Sequence, residues 1–152
     1  MTDAFVYVTY IRTTPEKLWD GLTKSEFTRL YWGGVSVECD WRKGSPWRLV
    51  FADGTLADAG EVLEIDPPRR LVLRWRNEFM PELKAEGDTR AVFELEPADG
   101  VVKLTVTHSM DREGSKMIKA VSNGWPGLLS NLKTLLETGE PYDVKVIRPK
   151  AA

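Results

Sequence analysis

Residues 115–139, SKMIKAVSNGWPGLLSNLKTLLETG, place the tightest constraint on how this chain can fold. Met117, Val121, Trp125, Leu128, Leu132 and Leu135 recur at steps of four, four, three, four and three. That is the period of a long helix with one buried face. Ile118, Leu129 and Leu136 widen the stripe. Gly139 stands where a helix takes its left-handed stop, and Pro141 follows where a helix cannot continue. Pro126 breaks the regularity, because it has no N–H and its ring meets the carbonyl of Ser122. Two helices could meet here, with Asn123 capping the second and Pro126 in its first turn. The apolar stripe passes through the proline in phase, so we read one kinked helix.

The rest of the chain must supply the surface on which that helix lies. Residues 5–12, FVYVTYIR, are β-branched and aromatic and read as a strand. Both of its faces are largely apolar, which predicts cover on both sides. Thr13 or Thr14 caps a short helix with Pro15 in its first turn and Leu18, Trp19 and Leu22 as its apolar side. Ser25 caps a second, which ends at Gly33-Gly34. From Val35 to Met110 the period is two. Val35, Val37, Cys39 and Trp41 form one inward set, and Trp47, Leu49 and Phe51 the next. Residues 55–65 follow, with a bend expected at Gly60. Leu71, Leu73 and Trp75, then Ala91, Phe93 and Leu95, then Val102, Leu104, Val106, His108 and Met110 complete the pattern. Turns at 42–46, Asp53-Gly54, Asp66-Pro67-Pro68 and Asp99-Gly100 are short, so neighbouring strands are antiparallel. Residues 77–88 read as a mobile polar loop. The tail 142–152 pairs briefly through 144–147 or frays.

These elements predict an α+β fold: a strongly twisted antiparallel sheet gripping a long C-terminal helix, with two short helices after the first strand. At 152 residues we expect a single domain, with its core at 5–138 and a tail from 139. The net charge of −2 makes no electrostatic case for a nucleic-acid partner. One cysteine, Cys39, excludes an internal disulfide and reads as a small core residue. The start shows no secretory signal, and no apolar run approaches the ~20 residues of a membrane span, so a cytoplasmic protein is expected.

The order of elements resembles the START-like (SRPBCC) superfamily, the helix-grip fold. Within it the chain resembles the bacterial branch related to the C-terminal domain of the activator of the heat-shock-protein-90 ATPase. The residues that carry this likeness are Thr14-Pro15-Glu16-Lys17-Leu18-Trp19, Leu30-Tyr31-Trp32-Gly33-Gly34 and the run from Gly60 through Pro68 to Arg70-Leu71. Leu104 to Ser109 and Gly124-Trp125-Pro126 with Leu128, Leu132 and Leu135-Leu136 complete it. The resemblance implies the fold well and the activity poorly. Relatives bind lipids, hormones or polyketides, cyclise polyketides, or act as co-chaperones. The co-chaperone adds an N-terminal domain for which this length leaves no room. That counts against a chaperone partner, while a homodimer stays open.

A helix laid across a curved sheet leaves a gap wherever facing side chains do not fill it. The expected function is therefore the binding of a small hydrophobic or aromatic molecule. Lining residues by alternation are Tyr31, Trp32, Trp41, Trp47, Phe51, Trp75, Phe93, His108, Met117, Val121 and Trp125. Tyr31 and His108 would supply polarity. The opposing reading is that these rings are simply core. His108 is the one histidine. It could serve as acid or base in a cyclase or hydrolase, or sit as a satisfied core side chain. A third alternative is a co-chaperone-like interaction module with a collapsed pocket. No cofactor is expected, because there is no G-x-S-x-G, G-x-G-x-x-G or Walker loop. No metal is expected either, because a lone histidine has no Cys or acidic pair at ligand spacing.

Overall fold

A computed structural model describes residues 2–142. The expected strand pairing at 144–147 lies outside the described residues. In chain order the elements are β1 (Asp3–Ile11), α1 (Pro15–Thr23), α2 (Ser25–Tyr31), β2 (Ser36–Cys39), β3 (Pro46–Val50) and β4 (Leu56–Asp66). They continue as β5 (Arg70–Asn77), α3 (Pro81–Glu86), β6 (Thr89–Ala98), β7 (Val101–Met110) and α4 (Lys116–Thr138). The strands make one seven-stranded sheet in the order β1-β7-β6-β5-β4-β3-β2. Every neighbouring pair is antiparallel. The predicted α+β helix-grip arrangement is what forms.

α4 is one helix that runs through Pro126, so the two-helix alternative falls. Its C-terminal stop is the predicted one. Ser115 caps the N-terminus, its Oγ accepting from the Ile118 N–H at 3.0 Å, and Gly139 takes the left-handed conformation. Met117, Trp125, Leu129, Leu132 and Leu135 are buried on the sheet side. Thr14 caps α1 by accepting from the Lys17 N–H. Ser25 does not cap α2. That position is Lys24, and the Ser25 hydroxyl instead donates to the Val37 carbonyl at 2.6 Å, tying α2 to β2.

Three further expectations are corrected. β1 is an edge strand with one covered face. Val6, Val8 and Tyr10 are 57%, 44% and 54% exposed, because no element among the described residues lies over the outer side of the sheet there. Trp41 lies beyond the end of β2 with φ +55, and its indole N–H donates to the Thr23 carbonyl at 3.1 Å. It does not continue the inward row. Residues 77–88 are not merely loop. Pro81 opens α3, where its missing N–H costs nothing. Leu83 is buried, and the Glu86 carboxylate accepts from Ser115 Oγ (2.7 Å), Lys116 N (2.8 Å) and Met117 N (3.1 Å). A remote carboxylate thus satisfies amides at the start of α4 and meets the positive end of its dipole. A helix of six residues is too short to show a period in the sequence, which is why it was not expected.

The outer face of the sheet carries cross-strand ion pairs, such as Arg74–Glu61 and Arg48–Glu38. Each contributes only tenths of a kcal/mol. Val72 shares that face yet is fully buried, beneath the arginine and glutamate stems around it.

Candidate functional site

The inward rows of β3–β7 meet α4 in a cluster of indoles. Ring centroids stand 4.4 Å apart for Trp47–Trp75, 5.6 Å for Trp75–Trp125 and 6.0 Å for Trp32–Trp125. Such tilted and edge-on pairs each add about 1 kcal/mol beyond area burial. The cluster does not fill all the space. Between it, α3 and α4 lies a hollow of about 270 Å³. Its floor is Tyr31, Trp32, Trp75 and Trp125, and one wall is Met117, Ala120, Val121, Gly124 and Leu128 of α4. The opposite wall is Phe79, Met80 and Leu83. Phe79 and Met80 are nearly half exposed and mark the mouth.

Of the eleven residues expected to line a pocket, six do so: Tyr31, Trp32, Trp75, Met117, Val121 and Trp125. Trp41, Trp47 and Phe93 instead surround a void of about 20 Å³ behind the floor, with room for no more than a single water. Phe51 packs edge-on against Phe79 with centroids 4.9 Å apart, supporting the wall from behind.

His108 does not reach the hollow. It is fully buried, and both ring nitrogens are committed. The Trp125 indole can only donate, so Nδ1 accepts from it at 3.1 Å. Nε2 therefore carries the proton and donates to Thr89 Oγ1 at 2.7 Å, and the Thr89 hydroxyl donates in turn to the Trp75 carbonyl at 2.7 Å. Burial lowers the imidazole pKa to about 4. This is a neutral core histidine, the opposing reading stated above. Tyr31 lines the floor with its ring, but its hydroxyl donates to the Gly21 carbonyl at 2.8 Å. Burial pushes its pKa up, so it offers no free polar atom.

The polar groups that do line the hollow are Asp58 and Asn77. Asn77 Oδ1 accepts from the Met80 N–H at 2.8 Å and so shapes the turn into α3. Asp58 is 8% exposed and sits in the inward cross-strand row Leu49–Asp58–Asn77. Burial is the main cause of a carboxyl pKa raised to about 7, with the Glu78 charge adding to it. The Trp75 indole N–H is near enough to pull that value down. Yet it makes no well-aligned hydrogen bond to the carboxyl or to any other acceptor among the described residues. Sequence reasoning missed Asp58. The signal was there: an acid two and four residues before Gly60 and Val62, in phase with the buried Val62.

Among the described residues, no three His, Cys, Asp or Glu side chains converge as a metal site. None of the described helices is long and apolar enough to cross a membrane.

A seven-stranded antiparallel sheet closed by a C-terminal helix over an apolar hollow defines a START-like, helix-grip protein. More narrowly, residues 12–137 match the family of Activator of Hsp90 ATPase homolog 1-like proteins, and the chain belongs to that family. No curated protein matches the sequence. Solved structures agree in fold. CalU16 from Micromonospora echinospora is 20% identical with a TM-score of 0.69, covering 90% of this chain and 77% of its own. The Aha1 dimer from Colwellia psychrerythraea is 20% identical with a TM-score of 0.73, over 90% and 98% of the two chains. An HSP90 activator from Plasmodium falciparum is 23% identical with a TM-score of 0.70, over 88% and 95%.

Proposed function

We propose that this chain binds a small apolar or aromatic molecule in the hollow between the sheet, α3 and α4. The observation that carries this reading is the hollow itself: about 270 Å³, walled by indoles and aliphatic side chains, with an open mouth at Phe79 and Met80. That size lies near the lower end of small-molecule sites and suits one or two rings. Acid–base catalysis by His108 gains no support, because neither ring nitrogen is free. The test uses prodan, a neutral two-ring naphthalene dye that brightens in apolar surroundings. Its emission should rise on mixing with the protein and fall when a ligand co-purified from the native host competes. A Gly124→Leu variant, which places a side chain in the hollow, should lose the response. Equal dye binding by both proteins would remove the reading.

A second reading, a homodimer, rests on the exposed Val6, Val8 and Tyr10 of the edge strand β1. A relative of the same fold is described as a dimer, and another as an HSP90 activator. Sedimentation of the wild type and of Val8→Lys tests it: a dimer that the lysine dissociates is expected, and a monomer in both overturns it.

A further inference from the structure

Resting on the ligand-binding reading above, we propose that the hollow selects a cation: a one- or two-ring molecule carrying a protonated or quaternary amine. Asp58 serves as its counter-ion, and the faces of Trp32, Trp75 and Trp125 surround it.

Asp58 lacks a counter-charge among the described residues. It is more than nine-tenths buried and lines the hollow, yet no lysine or arginine among the described residues pairs with it. Its neighbours are treated differently. Glu78 is held by Arg76 and Lys84, Glu61 by Arg74, and Glu86 by three hydrogen bonds from the start of α4. A buried carboxylate without a counter-charge is costly and is kept where a site needs it.

The second observation is the buried Trp75 Nε1–H, which stands close to the Asp58 carboxyl without an aligned hydrogen bond to it or to another acceptor among the described residues. A part-ionised carboxyl without a counter-charge and an indole N–H close to it without an aligned acceptor thus meet beside one apolar recess. No lysine or arginine lines that recess, so nothing in it favours an anionic ligand. Indole faces carry negative potential and attract ammonium groups, more strongly where water is excluded. An ammonium against Asp58 would supply the missing partner, hold the carboxyl ionised and draw its second oxygen toward the Trp75 N–H. The raised pKa of Asp58 agrees with this: burial first, then Glu78, keep it part-protonated near neutrality until a cation arrives.

The experiment compares three probes of one size, 2-(1-naphthyl)ethylamine, 2-(1-naphthyl)ethanol and 1-naphthylacetate, by calorimetry on the intact protein. The amine should bind at least about tenfold more tightly than the alcohol, and its affinity should rise as pH passes upward through about 7 while that of the alcohol stays level. In Asp58→Asn, which keeps the shape, the amine should fall to the level of the alcohol and the alcohol should bind as before. If amine and alcohol bind alike in the wild type, or the preference survives in Asp58→Asn, the cation proposal is overturned while the apolar pocket stands. Preference for the acetate at low pH would also overturn it, because Asp58 would then be a neutral donor. Binding of none of the three would overturn both readings. The wild-type pH series decides the matter even if Asp58→Asn does not fold.

Discussion

The Trp125 indole N–H donates to Nδ1 of His108 across 3.1 Å, so the ring that closes the hollow from α4 also locks the tautomer of the histidine beneath it. The same helix residue faces the ligand space on one side and the core on the other. Its hydrogen bond orients the indole that forms the floor.

His108→Ala should therefore lower stability by about 3 kcal/mol, by leaving the Trp125 donor and Thr89 without their partner and opening a cavity. His108→Gln, which offers one acceptor and one donor, should recover much of that. Urea unfolding of the three proteins at neutral pH measures both effects.

The pH dependence has two opposing parts. His108 takes up a proton near 6.5 when unfolded but only near 4 when folded. Its contribution is complete above pH 6.5 and is lost as pH falls toward 4, by about 3 kcal/mol in all. Asp58 releases its proton near 3.8 when unfolded but only near 7 when folded. Its contribution is complete below 3.8 and is lost as pH rises to 7, by about 4 kcal/mol. Between about pH 4.5 and 6.5 the two slopes cancel, so the wild type should be nearly level. Asp58→Asn should uncover a stability that rises with pH, and His108→Gln one that falls. Parallel slopes in both variants would show that another group governs this window.

Glu86→Gln should loosen the start of α4. Burial alone would raise the Glu86 carboxyl, but hydrogen bonds from Ser115, Lys116 and Met117 outweigh it and hold the pKa below the usual range. Loss of that charge and one acceptor should cost about 1–2 kcal/mol. Hydrogen exchange of the 116–119 amides should quicken while that of β6 and β7 does not.

Gly60→Ala should be severe. A Cβ there would stand 1.7 Å from the Arg74 carbonyl oxygen, inside the β4–β5 pairing. Backbone cannot yield as a side chain can, so a loss of about 3 kcal/mol or more is expected, read as a fall in Tm or as insoluble protein.

Gly124→Leu should do the reverse. Nothing lies within 4 Å of a Cβ at this wall position, and a helix gains from replacing glycine. Thermal unfolding should shift upward or stay unchanged while apolar dye binding is lost. Those two readouts together separate a filled pocket from a damaged fold.

The sequence by itself determined the scaffold. The stripe from Met117 to Leu135, the stop at Gly139 and the two-residue alternation of five strands are local patterns, and local backbone chemistry makes them readable. It also determined which side of β3, β5, β6 and β7 faces inward, so Trp75, Phe93 and His108 were all placed correctly as inward. Only the tertiary structure decided which of them meets empty space. Periodicity says which way a side chain points and not what stands opposite it. Whether a ring lines a hollow or packs solid depends on the curve of the sheet, the setting of α4 and a wall from α3, and these come from contacts between residues far apart in the chain. For that reason His108 proved sealed by Trp125 and Thr89, and the polar groups at the hollow proved to be Asp58 and Asn77.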